Sequence, residues 1–132
     1  MDIEWKYKIG LVDENVFAEI EKERGVMIPD ELKEFIKENN AATPSKYNFM
    51  VGNVEKVFGA VLSFNRGETD TDTVFTALAV VEDGQLIPFG IDSFGNYICY
   101  SISNDEVVFW DHENGTVTST EKNLTEFVSS LY

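Results

Sequence analysis

An α+β fold is what this 132-residue sequence predicts, and three observations predict it. Two short amphipathic helical patterns come first, a strand-rich centre follows, and one more helical pattern closes the chain. The stretch Ile87 to Tyr100 reads as strand, tight turn, strand. Hydrophobic residues make up 43% of a chain long enough to bury a real core, which places it among globular proteins. No internal repeat, linker or low-complexity segment interrupts it, so a single domain over residues 1–132 is expected.

Asp13 to Arg24 reads as the first helix: Asp13 can cap it, Phe17 and Ile20 share a face, and Gly25 stops it. The second starts at Pro29, with Asp30 and Glu31 suiting its dipole and Leu32, Phe35 and Ile36 as its stripe; Asn39-Asn40 end it. Ala41 to Lys46 is expected as a loop. Tyr47 to Val54 and Val57 to Phe64 read as strands around a turn near Asn53 to Lys56, with Gly52 as a candidate bulge. Asn65 to Asp72 is a polar, acidic loop. Thr73 to Val81 fits either period, and a helix capped by Asp72 is the expectation. Leu86 to Ile91 and Asn96 to Ile102 form a hairpin. In it Pro88 belongs at an edge or strand end, and Gly90 and Gly95-Asn96 supply turn residues that tolerate positive φ. Val107 to Asp111 pairs next, Thr116 to Ser119 is a short last strand, and Asn123 to Leu131 is the closing helix.

Ten Lys and Arg oppose 24 Asp and Glu, a net charge of −14. That argues against nucleic acid and against an anionic membrane surface, both of which would be repelled. It permits fast, salt-sensitive association with a basic protein. The lone cysteine, Cys99, forms no internal disulfide and fits a reducing, cytoplasmic setting. Met1 to Trp5 lacks the basic start and apolar run of a signal peptide. The longest largely apolar run, Val74 to Val81, is far short of the about 20 residues a spanning helix needs.

No catalytic, cofactor-binding or metal-ligating constellation stands out. Cys99 and His112 are the only Cys and His, too few for a structural zinc. Asp70-Thr71-Asp72 resembles the start of a calcium loop but lacks its glycine and terminal glutamate. A nucleophilic pair of Cys99 or a serine with His112 and Asp111 has no glycine–serine elbow, and Cys99 sits in an apolar strand. Asp92, Asp111 and Glu113 lie beside turn motifs, where capping of backbone donors is the plain reading. Trp5, Phe35, Phe58, Phe64, Phe89, Phe109 and Phe127 fall in periodic segments as core. Phe94 stands at the hairpin turn; folding back onto the core is expected, with a contact anchor as the alternative.

Five segments stand out in order: Gly25 to Phe35, Phe58 to Asn65, Ile87-Pro88-Phe89-Gly90 with Asp92, Gly95-Asn96 and Cys99, Val107 to Glu113, and Leu124 to Leu131. Together they resemble the SUKH superfamily, which includes the fungal cell-wall-synthesis regulator domain and many bacterial immunity proteins. The likeness spans about residues 12–131. One departure is Asn40-Ala41-Ala42, where the family often has Asn-Gly-Gly; alanine is poor at the positive φ that glycine permits. The resemblance implies a non-catalytic, cofactor-free α+β domain. Its bacterial members typically bind and neutralise a cognate toxin domain, often a nuclease or deaminase. The acidic balance fits a basic nuclease of that kind as partner. Candidate contacts are Glu68, Asp70 and Asp72 in the acidic loop, Asp92, Asp111 and Glu113 beside the hairpin, and Phe94 as an anchor. A regulatory interaction module without any toxin, and a small hydrolase using Asp111, His112 or Cys99, are the competing readings.

Overall fold

The computed structural model describes residues 3–132. Met1 and Asp2, part of the N-terminal stretch read above, lie outside the described residues. The α+β class is observed: among the described residues four helices accompany antiparallel sheets.

Helix α1 (Asn15–Arg24) starts later than its sequence suggests. Asp13 does not cap it from the N-cap position; its carboxylate accepts the Asn15 N–H at 3.0 Å in the preceding turn. Gly25 ends the helix at φ 70°, as its missing Cβ allows. Helix α2 (Asp30–Asn39) follows Pro29 and buries Leu32 and Ile36. The N-terminal strand β1 (Trp5–Lys6) pairs with β2 (Thr43–Pro44), a short strand in the segment expected as loop. Trp5 stacks edge-on against Phe35 at 5.3 Å, so α2 is clamped from outside the sheet.

The segment 47–64 differs most from expectation. One tight hairpin, β3 (Asn48–Val51) and β4 (Val54–Val57), turns at Gly52-Asn53, and Gly52 at φ 59° makes the turn rather than a bulge. Beyond it Phe58 and Val61 to Asn65 are buried; β5 (Ala60–Val61) joins the main sheet, and Ser63 makes an isolated parallel bridge to Thr73. Helix α3 (Val74–Val80) forms as expected, capped by the Thr73 hydroxyl rather than by Asp72.

The main sheet runs β5-β6-β7-β8-β9, with β6 (Leu86–Ile91), β7 (Tyr97–Ser101), β8 (Glu106–Trp110) and β9 (Val117–Lys122). Pro88 lies inside β6, not at its end. A bulge at Phe89 absorbs the missing donor, and β5 reaches only as far as Gly90. Gly90 is in the strand too, so its role is space rather than turn geometry. A Cβ there would sit 2.6 Å from the Phe58 ring. A second irregularity in β9 leaves Thr120 free to donate its hydroxyl to the Val107 carbonyl at 2.6 Å.

Helix α4 (Leu124–Ser130) opens with a reciprocal capping box between Asn123 and Glu126. It lays Phe127 against Phe49, Phe58 and Phe89, the aromatic centre of a single contiguous buried cluster. No helix among the described residues is long and apolar enough to cross a membrane.

The Asn40-Ala41-Ala42 departure has a clear structural outcome. Ala41 keeps the left-handed conformation, at φ 63°, that a glycine would hold without strain. Its neighbours enforce this: Asn40 accepts the Phe64 N–H at 2.8 Å and donates to the Ile9 carbonyl at 3.0 Å. The Ala42 carbonyl accepts the Val61 N–H at 2.8 Å. Ala41→Gly should therefore change stability by less than about 1 kcal/mol, because the strain relieved is offset by the lost methyl and by glycine's greater freedom in the unfolded chain. A gain or loss above about 1.5 kcal/mol, from the denaturant midpoint, would contradict this.

Candidate functional site

The loops after β6 and β8 meet at one end of the main sheet. Their junction is built from the spacing of Asp92 and Asn96. Asp92 Oδ1 accepts the N–H groups of Phe94 at 2.8 Å and Asn96 at 2.9 Å. Its Oδ2 accepts from Asn96 Nδ2 at 2.8 Å. Gly95 supplies the positive φ, 88°, that closes the turn. Because Nδ2 of Asn96 is committed to Asp92, its Oδ1 faces the neighbouring loop as an acceptor. The His112 N–H donates to it at 3.0 Å, and Nδ1 of the ring lies 2.6 Å away, so Nδ1 is the protonated nitrogen. Asp111 closes the other loop: its Oδ1 accepts the Glu113 N–H at 2.8 Å.

This frame separates the candidate residues by what they can reach. Asp92 is only 7% exposed, and its oxygens are occupied inside the loop. Phe94, on the same turn, is 72% exposed; it does not fold back onto the core as the sequence suggested. It sits on the turn beyond the last paired residues of β6 and β7, Ile91 and Tyr97. Glu113 is exposed and Asp111 half-buried, so both border solvent beside it. Asp111 also lines a shallow cleft of about 240 Å³ with Val54 and Phe109, where the Lys56 ammonium lies 4.6 Å from the Phe109 ring centre.

Beneath these loops Tyr97 and Trp110, opposite one another on β7 and β8, pack with ring centres 5.7 Å apart. Burial, with the nearby Asp72 carboxylate and Cys99, pushes the Tyr97 phenol above its ordinary value. Asp72, at the end of the acidic loop, is exposed. Within that loop Glu68 is half-buried and Asp70 exposed; Glu68 Oε1 lies 3.4 Å from Asn65 Nδ2. The role of Asn96 was not read from the sequence, although an aspartate and an asparagine four residues apart around a glycine carried the signal.

The residues weighed for catalysis are not assembled. Cys99 is fully buried in the sheet, and burial pushes its thiol far up, which holds it in the unreactive form. His112 is exposed and tied to Asn96, and no hydrogen bond joins it to Cys99 among the described residues. Nor do three His, Cys, Asp or Glu among the described residues group to hold a metal ion. The arrangement is a hydrogen-bonded, two-loop acidic platform with one projecting aromatic ring.

No curated protein matches the chain significantly. A family model, SUKH_6, described as SMI1-KNR4 cell-wall, matches residues 14–128, from the start of α1 to within α4, and so covers the helices, the sheet and both loops of the platform. The chain belongs to this family and, through it, to the SUKH superfamily.

Proposed function

We propose that the protein acts by binding rather than by catalysis, as an immunity protein that captures and neutralises a cognate bacterial toxin domain, a basic nuclease, in the cytoplasm. The observation that carries the reading is Phe94: a large apolar ring held 72% exposed on a turn locked by buried hydrogen bonds. Such a ring loses little conformational freedom on docking and suits the centre of an interface. In this reading Asp111 and Glu113, with Glu68, Asp70 and Asp72 of the acidic loop, supply the charged contacts, in a chain of net charge −14. Their carboxylates take the place of nucleic-acid phosphates on the partner. Asp92 serves the interface indirectly, by holding the turn that presents Phe94. Family membership supports a protein-interaction role, immune or regulatory.

Co-expression tests it. Cells carrying a candidate toxin domain encoded at the same locus should survive when this protein is present, and the two should co-purify. Survival should depend on Phe94. If no such domain is neutralised or bound, the regulatory-module reading takes its place.

A further inference from the structure

A groove of about 360 Å³ lies between α2 and α4, on the outer surface of the helices. Its floor is apolar, formed by Phe35, Leu124 and Val128. One wall carries Glu31, Glu34 and Glu38, three exposed carboxylates on one face of α2. At the helical rise, Glu31 and Glu38 stand about 10 Å apart, two turns of helix. Glu34 shares Lys37 with Glu14, at 3.7 and 3.1 Å. No ion pair among the described residues engages Glu31 or Glu38. The α4 side of the groove offers no cation in the last turn of that helix.

We propose that this groove is a docking surface for a basic amphipathic helix of a partner protein. The helix would seat apolar side chains on Phe35 and Val128 and set Lys or Arg, at a matching spacing of three or four residues, against the three glutamates. The aliphatic stems of those residues suit the apolar floor while their heads stay at the carboxylate wall. Charge chooses the occupant. A second copy would bring the same acidic wall and a net charge of −14 against itself, and a nucleic acid would be repelled outright. The proposal stands on the groove alone and is independent of the hairpin-end reading.

Two synthetic helical peptides of leucine, alanine and lysine, the second with every lysine replaced by glutamate, test it on the full chain. The lysine peptide should give saturable amide shifts, by NMR, at residues 31–38 and 124–129; the glutamate peptide should give none. Glu31→Lys with Glu38→Lys, both at exposed positions, should weaken binding by at least about tenfold, and Val128→Arg should do the same. Reversing Glu68, Asp70 and Asp72 removes more negative charge elsewhere and should weaken it by less than about threefold. Equal losses in the two charge variants would overturn the proposal, because attraction would then follow net charge rather than the groove. Absence of saturable binding, or shifts centred on residues 92–96 and 111–116, would overturn it as well. So would self-association of the free chain that Val128→Arg abolishes, since the groove would then belong to a second copy.

Discussion

Phe127→Ala should destabilise the protein by about 3–5 kcal/mol, the range for deleting a buried aromatic ring. Phe127 is 1% exposed and touches three other rings, with centres 5.0 Å from Phe49, 5.9 Å from Phe58 and 6.5 Å from Phe89. These rings come from β3, the segment before β5, and β6, so Phe127 is where α4, the small hairpin and the main sheet are joined. Collapse into the space is restricted. Phe89 sits on a bulge and also packs on Phe35, and Phe58 is wedged against Gly90, which has no side chain to yield. The loss comprises burial, ring–ring contact and an unfilled cavity. Thermal or denaturant unfolding measures it; a loss below about 1.5 kcal/mol would show that the helix repacks and that the aromatic centre is not what holds it.

Asp92→Ala should cost about 2–4 kcal/mol and disorder both loops together. Each buried donor left without an acceptor costs about 1–3 kcal/mol, and the amide before the exposed Phe94 ring can recover water. The two donors of Asn96 cannot, since Asn96 is buried. Freed from Asp92, the Asn96 carboxamide loses the orientation that receives His112. Asp92→Asn keeps one oxygen for the backbone donors but sets a donor against Asn96 Nδ2, so an intermediate loss is expected. Hydrogen exchange should report faster opening of residues 93–96 and also of 112–113. Exchange confined to the first loop would contradict the coupling through Asn96.

Legibility in the sequence tracked how local the determining physics was. Helix α2 is written in consecutive residues, from Pro29 through the stripe of Leu32 and Ile36, and its bounds emerged closely. The β6–β7 hairpin was equally plain, because Asp92, Gly95 and Asn96 carry turn chemistry within five positions. The region 47–64 was not. Gly52-Asn53 is a two-residue turn signal, but the apolar run on its far side obscured where pairing stops. Whether the buried chain around Phe58 joins a ladder depends on neighbours distant in sequence, here Ile91 and Ala42. Thr120 and Glu121 lie in a bulge that only the β8 register reveals. The candidate site divides the same way: its acidic residues are visible in composition, whereas burial of Asp92 and exposure of Phe94 come from which loop braces which. Hydrophobicity sends a phenylalanine inward; placement on a turn beyond the last strand pair, Ile91 with Tyr97, overrides that.

Association and dissociation rates with the basic partner domain proposed above, by stopped flow, test the binding account most directly. Replacing Glu68 by Gln and Asp70 and Asp72 by Asn should slow association, by more at low salt than at high salt, because charges at an exposed rim act through a screened field. Phe94→Ala should leave association nearly unchanged and speed dissociation by about tenfold or more, as loss of a central anchor does. Association indifferent to salt and to the acidic loop, together with an unaltered dissociation rate in Phe94→Ala, would contradict an interface at this end of the sheet.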